Sequence, residues 1–230
     1  EITVPESVLR FENNPFSGCT ELKLDCRSPY YIVEDGVIYN RFRTSIIGCL
    51  NGSQIDCLTI PESVTLISRN SFWNCKGIER GILTKNIDRI GYNPFAGCEN
   101  LLIENGGNPN FCVENGIVFD KGRTHLLCAT DRAVGAYYHV PDGVTHINRG
   151  VFSGCKSLCK IDFGDVTYID KSSFTNCTGL TELYIPDAVT YIGEWAFSYC
   201  RNLRKISINK HTFVDKNAFN ECPVTVEWRD

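Results

Sequence analysis

Two residues that return together at fixed intervals constrain this chain more than anything else in it. A Phe stands at positions 16, 72, 95, 152, 174, 197 and 219, with a Cys three residues after each, at 19, 75, 98, 155, 177, 200 and 222. Successive Phe are 56, 23, 57, 22, 23 and 22 residues apart, so four intervals are one period and two are a period plus an insertion. The copy from Ile185 to Leu203 shows the whole frame: Val189, Ile192 three on, Phe197 five further, then Cys200 and Leu203. A unit this short cannot bury its apolar side alone. It must stack on its neighbours, which makes the chain one elongated repeat array of about seven rungs.

The spacing inside a copy divides each rung. Alternating apolar residues, as in Leu183-Tyr184-Ile185, and the Val-to-Ile step point short extended segments at a shared interior. Around the Phe the spacing becomes three, which predicts a single turn of α or 3₁₀ helix, too short to stand alone. Asn14-Pro15 and Asn93-Pro94 look like an N-cap followed by Pro at the first helical position. Gly18, Gly97, Gly154, Asn74 and Asn176, just before their Cys, look like left-handed closers of that turn.

The insertions fall at about 26–59 and 104–139 and match one another. Asp35-Gly36-Val37-Ile38-Tyr39-Asn40 corresponds to Asn115-Gly116-Ile117-Val118-Phe119-Asp120, and Arg43 to Ile47 corresponds to Arg123 to Leu127. Asp-Gly and Asn-Gly between β-rich runs predict tight hairpins, because both central residues must accept positive φ. These hairpins are expected to project from the array. The last rung has His211 where Val belongs and ends in the alternating Val224 to Trp228, so residues 206–230 read as a C-terminal cap with Trp228 lying over the final rung. Nothing before Val4 looks like a cap, which suggests a further segment or a partner at that end. The absence of Met suggests that Glu1 is a processed start.

Thirteen cysteines would ordinarily suggest a disulfide scaffold, but seven of them occupy one repeated position, as a packing requirement would dictate. Free thiols are therefore expected in that ladder, while Cys26, Cys49, Cys57, Cys112, Cys128 and Cys159 are less constrained and a Cys49–Cys57 bridge stays open. A net charge of −4 with both signs scattered gives no footprint for nucleic acid, and no apolar run is long enough for a membrane helix. There is no zinc-type Cys-x-x-Cys and no phosphate-binding loop, so no cofactor and no metal are expected. Cys128 near His125 is the one pair close enough in sequence to suggest a thiol nucleophile, and it reads as ordinary hairpin side chains. Asn51-Gly52-Ser53 and Asn176-Cys177-Thr178 have the form of glycosylation sequons without a context that gives them meaning.

Residues 185–203, read as Ile-Pro-x-x-Val-x-x-Ile-Gly-x-x-Ala-Phe-x-x-Cys-x-x-Leu, resemble the BspA-type leucine-rich repeat, and Asp35 to Tyr39 resembles a hairpin common in that family. Local departures are Gly81 for a Leu, Thr84 for a strand-end Pro, and His211. The resemblance implies a leucine-rich-repeat solenoid of α/β class: a right-handed curved superhelix of short parallel strands and single helical turns, with two inserted β-hairpins. It also implies a cell-surface or secreted bacterial protein, adhesin-like and not an enzyme, that binds a host protein of extracellular-matrix type or a glycan. The alternative is a structural spacer within a larger surface protein.

Two surfaces could carry recognition. Outward positions on the strand after each ladder Cys include Glu21, Lys23, Glu79, Arg80, Asp162, Glu182, Tyr184, Arg204 and Lys205. The hairpins offer Tyr30, Tyr31, Tyr39, Arg41 and Arg43, with Tyr137 and Tyr138 at the rim of the second insertion, because aromatic and Arg side chains dominate binding hot spots.

Overall fold

The structure is a computed structural model, described for residues 1–11, 14–19, 21–51 and 55–230. Each turn of the chain crosses three sides of a solenoid. The first side, the strand face, is made of the segments that follow each ladder Cys. Ile2–Val4 pairs with Leu24–Cys26, and Arg80–Thr84 lies between Cys57–Leu58 and Leu102–Gly106. Tyr137–His139 pairs with Lys160–Asp162, and Lys205–Asn209 lies between Glu182–Tyr184 and Thr225–Arg229. All of these pairings are parallel, and their ten strands give about ten turns among the described residues, against the seven expected from the Phe count.

The second side explains the difference. Here Tyr31–Glu34 and Val37–Asn40 form an antiparallel hairpin, Ser45–Cys49 pairs antiparallel with it, and Leu66–Ile67 and Arg89–Ile90 continue in parallel. The arrangement repeats as Phe111–Glu114, Ile117–Asp120 and His125–Cys128, followed by His146–Ile147, Tyr168–Ile169, Tyr191–Ile192 and Phe213–Val214. Ile46 lies opposite Ile67 and Leu126 opposite Ile147, in the ladder position of the repeat. Each insertion is thus a hairpin plus a further turn of the solenoid that lacks the Phe signature.

The hairpins do not project. Val37, Ile38 and Tyr39 are all buried, as are Ile117, Val118 and Phe119. Successive side chains of a strand point to opposite faces, so three buried apolar residues in a row mean a strand covered on both. Ile38 enters a small core with Val4, Phe16 and Leu50, while Val37 and Tyr39 enter a second core with Phe72 and Phe95. Val118 joins that second core from the other end, and Ile117 and Phe119 join a third with Phe152, Phe174 and Phe197. The two hairpins are walls between three cores. At their tips Asp35 and Gly36, and Asn115 and Gly116, all have positive φ, as a type I′ turn requires.

These walls also divide the ring stack, so the seven Phe do not share one continuous column. Phe72 stacks on Phe95 at 5.2 Å, and Phe152, Phe174, Phe197 and Phe219 stack in series at 4.9, 5.0 and 5.6 Å. Phe16 packs apart from both, edge-on to Phe11.

The third side, the turn face, carries the Phe and Cys, and it is not helical. Bonds from Cys75 N to Phe72 O and from Cys177 N to Phe174 O close isolated turns, and the one helix among the described residues is Asp131–Val134. The reason lies two residues on either side of five of the seven Phe. The pairs Asn70/Asn74, Asn93/Gly97, Gly150/Gly154, Ser172/Asn176 and Trp195/Tyr199 all have positive φ, which ends any helical run at once. Gly18, Gly97, Gly154, Asn74 and Asn176 are left-handed as expected. Asn14 does cap, its Oδ1 accepting from Phe16 N at 3.2 Å, whereas Asn93 is itself left-handed and its Oδ1 is buried without a partner.

The ladder Cys has a role beyond its size. Sγ of Cys98, Cys177 and Cys200 donates to the carbonyl of the preceding turn's Phe, Phe72, Phe152 and Phe174, at 3.0 to 3.1 Å. In the second insertion the buried Cys128 sulfur instead accepts a hydrogen bond from the Phe95 backbone. None of the thirteen cysteines is in a disulfide, so Cys49, buried, and Cys57, exposed, do not bridge.

The C-terminal cap is held by Arg229 and not by Trp228, which stays exposed. The Arg229 guanidinium donates to Ile185 O, Asp187 Oδ1 and Ser207 Oγ, tying the last strand to two earlier turns. In the final rung Thr212, one residue past His211, is buried and donates to Val189 O at 2.8 Å, so the irregular spacing is absorbed by one shifted residue.

Candidate functional site

Outward positions on the strand face alternate with buried ones, and every expected binding residue there is exposed: Glu79, Arg80, Asp162, Glu182, Tyr184, Arg204 and Lys205. Most of their charges are already answered across neighbouring turns. Arg80 makes a two-pronged bond to Glu104, with both contacts at 3.0 Å, and draws its carboxyl below the usual range. Asp162 is held down by the Gly164 N–H and by His139, whose Nδ1 lies 3.0 Å away. Lys205 pairs with Glu227 at 2.9 Å, and Arg204 donates to Arg201 O. Glu79 lies beside Arg80 at the edge of the strand, its N–H bonded to Asp56 O.

Three of the expected residues come together. Glu182, Tyr184 and Lys205 line one open groove of about 510 Å³ with Ser207, Glu227 and Cys159. Register accounts for this: Glu182 is opposite Lys205 and Tyr184 opposite Ser207, so the side chains share one face of adjacent strands. The groove carries both signs of charge beside an exposed phenol. Arg229 lies 3.9 Å from the Tyr184 ring centroid and covers one side of it.

The hairpin surface fares differently. Tyr39 is buried in the second core, and burial followed by the charge of Glu34 raises its hydroxyl above the ordinary value, so it has no ring to offer a ligand. Tyr31 stacks on Phe11 at 4.2 Å and accepts from its N–H. Arg43 pairs with Glu34, as Arg123 does with Glu114, which fixes the hairpin crossings. Arg41 is exposed beside Phe42, Tyr30 and Tyr137 are exposed, and Tyr138 packs against Phe152.

Two features escaped sequence reasoning. Position one before the ladder Ile forms a stripe of stacked rings: His125, His146, Tyr168, Tyr191 and Phe213, with centroids 4.4 to 5.3 Å apart. Thr124 and Thr145 hold Nδ1 of the two His at 2.9 and 2.8 Å. Stacked in this way the rings cover one another's faces and present edges to solvent. The second feature is a pair of exposed aromatic residues on the turn face, Trp195 and Tyr199. Aligning the rungs on Phe and reading two residues to either side would have exposed both.

Among the described residues no three His, Cys, Asp or Glu side chains converge as metal ligands. Cys128 is buried and burial pushes its thiol up to about 12, the opposite of an activated nucleophile. No helix among the described residues is long and apolar enough to cross a membrane.

The likenesses to known proteins agree with this architecture. Residues 1–105 and 136–226 match the BspA type leucine rich repeat region in six copies, leaving out most of the second hairpin turn. A leucine rich cell surface protein from Faecalibacterium prausnitzii is 22% identical with a TM-score of 0.58, over 75% of this chain and 53% of that one. The pneumococcal vaccine antigen PcpA is 18% identical, with a TM-score of 0.58 over 99% of this chain and 56% of the other. A leucine-rich repeat protein from Eubacterium ventriosum is 21% identical at a TM-score of 0.57, over 74% of this chain and 58% of its own. The chain thus spans little more than half the length of these solved relatives, and at such identities they speak to the fold. No curated protein matches it. With six copies of that repeat covering most of its length, the chain belongs to the BspA-type leucine-rich repeat family.

Proposed function

We propose that this chain is the recognition region of a cell-surface or secreted protein, without catalysis, and that it binds an extracellular protein through the strand face. The observation that carries the reading is the groove at Glu182, Tyr184 and Lys205, where an exposed aromatic ring lies between charges of both signs on a rigid sheet. Protein interfaces favour that combination, and repeat sheets offer it without ordering cost. The likeness to a cell surface protein of F. prausnitzii supports the location.

Biolayer interferometry against a panel of extracellular-matrix proteins tests it, with Tyr184→Ala and Glu182→Lys as groove variants and Arg41→Ala as the hairpin arm. Saturable binding that falls at least about ten-fold in the groove variants and persists in Arg41→Ala is the expected result. Binding indifferent to both groove variants, or none at all, rejects the reading. A spacer role is the second reading, favoured by the pairing of Arg80, Asp162 and Lys205 within the sheet, which leaves fewer charges for a partner.

A further inference from the structure

The two left-handed positions that flank each Phe are filled by Asn, Gly or Ser in four of the five turns where both are left-handed. These residues reach positive φ at little cost, Asn by bonding locally and Gly by having no Cβ. In the turn around Phe197 both positions instead hold large aromatic residues, Trp195 and Tyr199, each at a φ of 58°. A bulky residue there is uncommon, and strain of this kind persists where the ring it places is used.

Neither ring is needed by the core. Trp195 and Tyr199 are each 41% exposed, while Ala196 and Phe197 between them are fully buried. Together the two rings line an open pocket of about 290 Å³ with Ser172, Thr175, Ser198 and Asn220. None of the six lining residues carries a charge. The Lys171 ammonium lies over one face of the Trp195 ring, 4.2 Å from its centroid, and is paired with Glu194. Thr175 Oγ1 lies 3.0 Å and Ser198 Oγ 3.2 Å from Trp195 O, and the two hydroxyls lie 3.2 Å from one another, so with one proton each they keep at least one lone pair apiece to accept from a ligand.

We infer that this pocket is a binding site for one ring of a neutral saccharide, stacked by its C–H face on Trp195 or Tyr199 and hydrogen-bonded by its hydroxyls to Thr175, Ser198 and Asn220. Two aromatic rings beside neutral hydroxyl and amide groups match a pyranose, which has an apolar face and a rim of hydroxyls. They do not match a phosphate or carboxylate ligand, for which an unpaired cation would be required. The volume is at the small end of ligand sites, roughly 300–1,000 Å³, which fits one sugar ring and not a peptide segment. The site deepens the recognition reading and rests on it, but it lies on the turn face, apart from the groove at Tyr184.

Saturation-transfer NMR on the whole chain, with the methyl glycosides of glucose, galactose, mannose and N-acetylglucosamine as probes and N-acetylneuraminic acid as the charged comparison, tests it. At least one neutral glycoside shows transfer with the native chain, and the signal is lost in Trp195→Asn and Tyr199→Asn but kept in Trp195→Tyr and Tyr184→Ala. Because Asn occupies these positions in other turns, neither Asn variant lowers the melting midpoint, so the loss is not unfolding. No transfer to any neutral glycoside, transfer that survives both Asn variants, or transfer to the charged sugar alone overturns the inference. Sugar binding that persists while matrix-protein binding is absent removes the groove and leaves this pocket standing.

Discussion

The uninterrupted turns from Val140 to Cys222 and the two hairpin turns solve the same problem with different residues. In the first region each turn repeats one ring, one thiol and one Ile, and Phe174 is sandwiched between Phe152 and Phe197 with Phe163 edge-on. In the second, a two-stranded wall supplies apolar side chains to both sides, and its third strand buries a Cys, Cys49 or Cys128, against the same cores. Interior packing therefore depends less on the repeat signature than on having something apolar on both sides of every boundary. A stack of identical turns achieves this by translation, and a strand buried on both faces achieves it by alternation.

The comparison breaks first if the hairpins are ornaments. Phe174→Ala is expected to cost about 3–5 kcal/mol in a denaturant titration, and Phe119→Ala, in the second wall, about as much. Phe219→Ala, half-buried with one stacking neighbour, should cost about half of that. A small loss at Phe119 would show that the wall is not part of the core. Next in size is Gly116→Ala at the wall's tip. A Cβ there meets Leu102 Cδ2 at 3.0 Å and Ala133 Cβ at 3.1 Å at a φ of 83°, so about 1–2 kcal/mol should be lost. Gly122→Ala, 3.4 Å from its nearest neighbour and without positive φ, should change the same titration little.

The thiol comparison is finer. Cys177→Ala and Cys128→Ala, one in each region, should each cost about 1–2 kcal/mol, against near zero for exposed Cys159→Ala. A near-zero loss at Cys177 would show that the bond from its Sγ to Phe152 O adds nothing. The smallest effect concerns pH. Burial, and then the neighbouring His125, lower the pKa of His146 below its ordinary 6.5. The unfolded chain then binds this proton before the folded one does, so stability falls as pH drops through about 6.5. In His146→Tyr, which copies the residue found at Tyr168 and Tyr191, that part of the slope in melting temperature should vanish, and a slope left unchanged would place its origin elsewhere.

Much of this was legible beforehand, in proportion to how local the physics is. The Phe and Cys frame, the Asp-Gly and Asn-Gly turns and the left-handed Gly18 or Asn176 depend on a few adjacent residues, and they appear as read. The burial of Tyr39 was not legible, because Val37-Ile38-Tyr39 says only that a strand is apolar on both faces, not what covers them. Single helical turns were expected from a spacing of three, but left-handed residues two before and two after five of the seven Phe forbid them. Of the expected binding residues, Glu182, Tyr184 and Lys205 share a groove because strand register carries one side chain past the next. Arg41 lies elsewhere, since the insertion that bears it was folded inward. Trp195 and Tyr199 were visible in every copy-to-copy alignment, yet their meaning depends on a backbone angle that letters do not carry.

The walls have one more consequence. A linear array ordinarily frays from either end, one turn after another, since each turn leans only on the next. Here antiparallel hairpins cross the array at Tyr31 to Asn40 and at Phe111 to Asp120, and local opening that starts at the last strand meets the second of these before it reaches Phe95. Amide exchange should therefore show three blocks of protection with borders at the hairpins, so that a tug at one end of this molecule is not felt at the other.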